Sequence, residues 1–249
     1  MIASERTPLG AALAVLLALV ALTGPHSAAL MAALMCLLSI MIGIGWPDLL
    51  ELASPRGTRI VVAGTGVLAA LLTLGTASTD APLGSVVIAC ALGIFGAFAH
   101  QMVRRERDGL SASLTSTIAG VMLTGISATW VLAQAEATTG SEARMLAACG
   151  AGLAITLLIT ATGLPRLLRL ALAVLASAGA TAVLMPALTS ATWPLGMLVG
   201  ALLGVGAGGV HLLLGSVLVA KEPLPSLTVA AAPVATIGMV ALLAARLLG

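Results

Sequence analysis

The sequence predicts an all-α polytopic membrane protein of nine transmembrane helices, one leading helix followed by two parallel four-helix repeats. Three observations predict this. Of 249 residues, 60% are hydrophobic and only 8% charged, too few polar side chains to cover a soluble fold. Four landmarks recur in the same order at an offset of 110 to 113 residues: Pro55-Arg56-Gly57-Thr58-Arg59 with Pro165-Arg166-Leu167-Leu168-Arg169, Pro-Leu-Gly at Pro82 and Pro194, His100 with His211, and Ser-Leu-Thr at Ser113 and Ser226. The basic residues, finally, are unevenly spread. A cytoplasmic N-terminus gathers Arg6, Arg56, Arg59, Arg104, Arg105, Arg107, Arg166, Arg169 and Lys221 on the inner side and leaves Arg144 and Arg246 outside, which is the positive-inside pattern of an inner-membrane protein. Position 249 then lies outside.

The chain divides into a leading helix (1–27), a first repeat (28–134) and a second repeat (145–249). Four spans separate each landmark from its copy, so the copies share an orientation and their symmetry axis follows the membrane normal. An inverted repeat, common in alternating-access carriers, needs an odd number of spans between copies.

The first apolar run, 9–23, is short for a spanning helix, which needs about 17 to 25 residues. It reads either as a signal peptide, with Arg6 as charged region and Ser27-Ala28-Ala29 as cleavage site, or as a retained helix turned at Pro25 and His26 into the span 28–44. The retained helix is the reading adopted. Next comes Gly45-Trp46-Pro47-Asp48-Leu49-Leu50-Glu51-Leu52. Pro47 suits a first helical position, and Asp48 and Glu51 suit a first turn. The stretch predicts a short interfacial helix with Trp46 at headgroup level, or alternatively a cation held by Asp48 and Glu51. Further spans are predicted at 60–74, 83–99, 114–133, 145–162, 170–188, 195–219 and 227–243. Cys36, Cys90 and Cys149 fall singly within apolar runs, as inert buried thiols do, and no cysteine spacing suggests a disulfide framework or a metal site.

Each histidine follows its Pro-Leu-Gly by 17 or 18 residues. At about 1.5 Å per residue that places it some 26 Å from the outer end of its helix, near the inner boundary. Arg56, Arg59, His100, Arg104 and Arg105 of the first half, and Arg166, Arg169 and His211 of the second, therefore form a basic rim. The Ser-Leu-Thr segments are expected to add helix N-termini, whose free N–H groups suit anions. A lipid phosphate is the natural ligand. The alternative is that these residues only orient the chain.

The fifth helix carries Ser113, Thr117, Gly120, Thr124 and Ser127 at spacings of 4, 3, 4 and 3. That is one helix face, either a polar path or a close-packing surface. The eighth helix carries Gly196, Gly200 and Gly204, which suit close packing, and its glycine-rich end at Gly206, Gly208 and Gly209 is the expected place of bending.

Apart from the boundary histidines, no span holds an ionisable side chain at its middle, where ion-coupled carriers place one. Nucleotide-binding, metalloprotease and serine-hydrolase motifs are missing, so neither a catalytic residue nor a metal or other cofactor is expected. The net charge of +2 implies no nucleic-acid partner. Two Phe and three Trp are few for a pocket gripping an organic substrate.

Gly45-Trp46-Pro47-Asp48-Leu49-Leu50 running into Pro55-Arg56-Gly57-Thr58, together with His100-Gln101, the arginine cluster and Ser113-Leu114-Thr115, resembles a group of uncharacterised multi-pass membrane proteins of high-GC actinobacteria. The likeness covers the first half and implies no particular activity. The nine-helix plan and the stretch 193–233 are similar to CDP-diglyceride synthases. The acidic, lysine-rich metal and nucleotide signature of those enzymes is not matched here, since only Lys221-Glu222 stands in that region, and the resemblance therefore implies a lost catalytic function.

The expected function is a non-catalytic accessory or lipid-contacting factor in cell-envelope biogenesis, with membrane lipids, anionic headgroups among them, or a membrane protein as partner. The alternative is a permease for a small or lipid-like molecule, passing between the repeats. A third reading, an enzyme of lipid-phosphate chemistry, requires His100 or His211 as acid or base.

Overall fold

In a bilayer a chain satisfies its backbone polar groups within helices or a closed barrel, and this apolar chain takes the helical solution. The computed structural model describes residues 8–23, 28–79, 81–104, 109–137, 139–217 and 222–248, and no strand occurs among them. The helices are α1 (Pro8–Leu22), α2 (Ala28–Leu49), α3 (Pro55–Thr76), α4 (Gly84–Val103), α5 (Leu110–Ser127), α6 (Thr129–Glu136), α7 (Gly140–Thr160), α8 (Arg166–Leu188), α9 (Trp193–Leu214), α10 (Pro223–Thr236) and α11 (Gly238–Leu248). Helices α5 with α6, and α10 with α11, are each one rod broken near its middle. Counting each broken rod once, eight helices are long and apolar enough to cross a membrane, and α1 is apolar but shorter. The protein is an all-α multi-pass membrane protein.

Local chemistry sets several starts. Pro55 and Pro223 open α3 and α10, and Pro194 follows the first residue of α9, positions where the missing N–H costs nothing. Helix α7 starts on a capping box: Thr139 N–H donates to Glu142 Oε2 at 2.8 Å, and Glu142 N–H donates to Thr139 Oγ1 at 3.3 Å.

The centre is built from α2, α6, α7 and α10. Met31, Met35, Leu38 and Ile42 of α2 are fully buried with Trp130 and Leu132 of α6 and Leu146 and Leu153 of α7. The pairs α3–α4 and α8–α9 flank this centre, and α1 packs along α7 and α10. Ala14, Leu17 and Ala21 of α1 are fully buried there. On the flanks Val87 and Phe95 of α4 and Leu175 and Val183 of α8 stand exposed, an apolar surface suited to lipid.

Glycines set the closest approaches. At Gly196, Gly200 and Gly204 an added Cβ would run into the backbone of α8, so α9 is closely packed as its sequence predicts. Helix α9 runs unbroken through Gly206, Gly208 and Gly209, the glycine-rich end where a bend is expected. The breaks fall in α5–α6 and α10–α11 instead. There the Trp130 indole donates to Val234 O at 2.9 Å, and a Cβ on Gly238 would meet Thr129 and Trp130. The two breaks thus lie against one another.

The interfacial helix expected over residues 47–52 does not form. Helix α2 continues through Pro47 and closes in a Schellman motif, with Leu52 N–H donating to Pro47 O at 2.9 Å, Glu51 N–H to Asp48 O at 3.3 Å, and Glu51 at φ 51°. Trp46 is buried against the protein, and its Nε1 donates to Ser116 O at 2.8 Å. That anchor holds the end of α2 against α5 and keeps the helix going past the proline.

Candidate functional site: a basic face with two unlike halves

The ends of α2, α4, α7 and α9 and the starts of α3, α5, α8 and α10 meet at one end of the bundle. Side chains tie them together: Ser54 to His100 across α3 and α4, Gln101 to Ser113 across α4 and α5, Arg166 to Leu212 across α8 and α9, and Thr228 to Ile42 across α10 and α2. Five described arginines, Arg56, Arg59, Arg104, Arg166 and Arg169, stand at this end. Arg144 and Arg246 stand at the other, where Arg246 forms a bidentate pair with Glu136. Arg105 lies outside the described residues, as do Glu106, Arg107 and Asp108.

In the first half these groups answer one another. Arg59 Nη2 bonds Asp48 Oδ2 at 2.6 Å, and its Nε donates to Ile44 O at 3.1 Å, capping the end of α2. Asp48 is therefore the partner of Arg59, which overturns the reading of Asp48 and Glu51 as cation ligands. His100 Nε2 lies 3.0 Å from Ser54 Oγ. The ring seats directly over Gly57, where a Cβ would collide with it. Arg104 Nη1 donates to Gln101 Oε1 at 3.0 Å, and Gln101 Nε2 donates to Ser113 Oγ at 2.8 Å. Arg56 is exposed and makes no hydrogen bond or ion pair among the described residues.

The hydroxyl face of α5 joins this network from inside. Ser113, Thr117, Gly120, Thr124 and Ser127 are all buried. Thr117 Oγ1 lies 3.2 Å from Thr58 Oγ1 and donates to Ser113 O at 2.7 Å, Thr124 Oγ1 donates to Val62 O at 2.9 Å, and Ser127 Oγ donates to Thr124 O at 2.6 Å. This face packs against α3. The Ser-Leu-Thr segments are not helix N-termini either. Helices α5 and α10 begin at Leu110 and Pro223, and the N–H groups of Ser113 and Ser226 already donate to Gly109 O and Glu222 O.

The second half is built differently. Arg169 occupies the place in Pro-Arg-x-x-Arg that Arg59 holds in the first half, and it too caps a helix end, with Nη1 donating to Thr160 O at 3.2 Å and Thr162 O at 3.4 Å. Arg166 Nη2 reaches Leu212 O at 3.4 Å. Neither arginine forms an ion pair among the described residues, where the ion pairs are Arg59–Asp48 and Arg246–Glu136. Arg169 Nε is buried without a hydrogen-bond partner there. Arg166, Arg169 and His211, with Leu212, Gly215 and Ser216, line a cavity of about 120 Å³.

Asp48 is what separates the two halves. The stretch containing it has no counterpart before Pro165, and that gap is the signal by which sequence reasoning could have found the asymmetry. Ser54, Gly57 and Gln101 carried no comparable signal. Among the described residues no group of three or more His, Cys, Asp or Glu side chains is placed to hold a metal ion. Compared with family models, with curated proteins and with solved structures, the chain matches none of them.

Proposed function

We propose that this chain is a non-catalytic accessory protein of the cell membrane that works through lipid and protein contacts, in the service of building the envelope. The observation that carries the reading is the gathering of arginines and both helix-end histidines on one face of a bundle whose flanks are apolar. Such a face suits the anionic, cytoplasmic leaflet. The close-packed, apolar centre between α2 and α10 favours a scaffold over a conduit. Gly45 there lies so close to Leu224 and Thr228 that no Cβ fits. The two halves are read as parallel copies, since α3 and α8, α4 and α9, and the broken rods α5–α6 and α10–α11 follow in the same order.

Extraction from the native membrane with mild detergent, followed by native mass spectrometry, tests this. A stoichiometric anionic lipid or protein partner is the expected result. A bare protein that supports solute flux in proteoliposomes would replace this reading with the second one.

That second reading is a permease, and one observation favours it: the paired breaks at Ala128 and Ile237. Carriers build substrate sites from discontinuous helices. Here the Trp130 indole fills the space between the breaks, so passage requires the indole to leave Val234.

A further inference from the structure

We infer that the cavity lined by Arg166, Arg169 and His211 binds a single phosphate-bearing anion per chain, and that the corresponding corner of the first half binds none. The inference rests on the lipid-contact reading above and gives it one site and one stoichiometry. In the first half, Arg59 caps the preceding helix and its charge is answered by Asp48 at 2.6 Å. In the second half, Arg169 caps the preceding helix through Thr160 and Thr162, and no carboxylate among the described residues answers it. Glu222 stands exposed at the start of α10 without an ion pair to either arginine.

Two guanidinium groups sharing one small cavity repel one another. An anion relieves that repulsion and accepts from the guanidinium groups that line the cavity. A phosphate offers several acceptor oxygens on one centre, and guanidinium groups match its geometry. The volume of about 120 Å³ admits a phosphate group and excludes acyl chains. A lipid bound here therefore leaves its tails along the apolar flank of α8, where Leu167 and Leu168 are exposed beside Arg166. The shared chemistry is a phosphate with net negative charge, whether a lipid headgroup or free inorganic phosphate.

The test uses the full-length protein, purified and delipidated in detergent, titrated with phosphatidylglycerol, phosphatidylcholine or inorganic phosphate and read by native mass spectrometry. One phosphatidylglycerol per chain is expected, with phosphatidylcholine bound more weakly. Arg166→Gln and Arg169→Gln should each weaken it about tenfold or more, as loss of a charged hydrogen bond does. Ser216→Asp, which supplies an internal carboxylate at an exposed lining position, should abolish it, while Arg56→Gln should leave it within about twofold. Because Arg169 also caps α7, Arg166→Gln and Ser216→Asp carry the test if Arg169→Gln unfolds.

Phosphatidylglycerol held equally by wild type, Arg166→Gln and Ser216→Asp overturns the site and leaves the lipid-contact reading standing. Binding of inorganic phosphate alone, lost in the same variants, supports the site and removes the lipid reading. Binding of neither overturns both.

Discussion

Glu51 shows how a single residue reveals the direction in which its neighbours act. Its φ of 51° is a left-handed conformation that costs a side-chain-bearing residue about 1 kcal/mol or more relative to glycine. It is held by the two Schellman hydrogen bonds that end α2. Glu51→Gly should therefore raise the thermal stability of the detergent-solubilised protein by about 1 kcal/mol, and an unchanged or lowered midpoint would refute this account. In the sequence, Pro47, Asp48 and Glu51 carry the signals of a helix start, yet they form a helix end. Local propensity was outweighed by two distant partners, Ser116 receiving the Trp46 indole and Arg59 reaching Ile44 and Asp48. Neither pairing has a signature in spacing.

At the scale of elements, the broken rods depend on hydroxyls that turn back on their own helix. Ser127 donates to Thr124 O and Thr129 to Ile126 O, and the Thr124 hydroxyl, which donates to Val62 O, also lies 3.0 Å from Gly120 O. Such bonds compete with the backbone ladder and bend a helix. In α10 the same task falls to Pro233, which removes a donor, and to Thr236, which bonds Ala232 O and Pro233 O. The Val234 carbonyl beside this break is satisfied by the Trp130 indole. Trp130→Phe keeps most of the buried ring but leaves that carbonyl alone, and should cost about 1 to 3 kcal/mol in thermal or denaturant unfolding. Trp193→Phe, at an exposed helix start, should cost almost nothing. The predicted spans 114–133 and 227–243 located both rods because hydropathy alone identifies a spanning helix. The breaks were less legible. Pro233 lies within the span 227–243, which was read as one unbroken helix, and around Ala128 only ordinary serines and threonines stand, whose inward bonds depend on what packs outside them.

For the whole molecule, the proposed function predicts an orientation: residues 56–59, 100–104 and 166–169 toward the cytoplasm, and Glu136 with Arg246 away from it. A reporter fused at Gly249 that is active only outside the cytoplasm should give signal. Signal from a cytoplasm-only reporter at the same position would reverse the assignment. The sequence placed the members of this face correctly at helix ends, since helix length and charge position are properties of the chain itself. It also showed that the stretch around Asp48 has no counterpart before Pro165, but motifs record where arginines fall and not which carboxylate reaches them. The indoles add a consequence of another kind. The chain has three Trp and no Tyr, with Trp46 and Trp130 buried and Trp193 exposed at the end remote from the basic face. Its tryptophan fluorescence is thus written by three indoles in unlike surroundings: one beside the arginine-rich rim, one wedged between the paired breaks, one open at the opposite boundary. Any rearrangement that parts α6 from α10 changes the colour of the second alone, so the molecule carries its own optical gauge at the point where its two halves join.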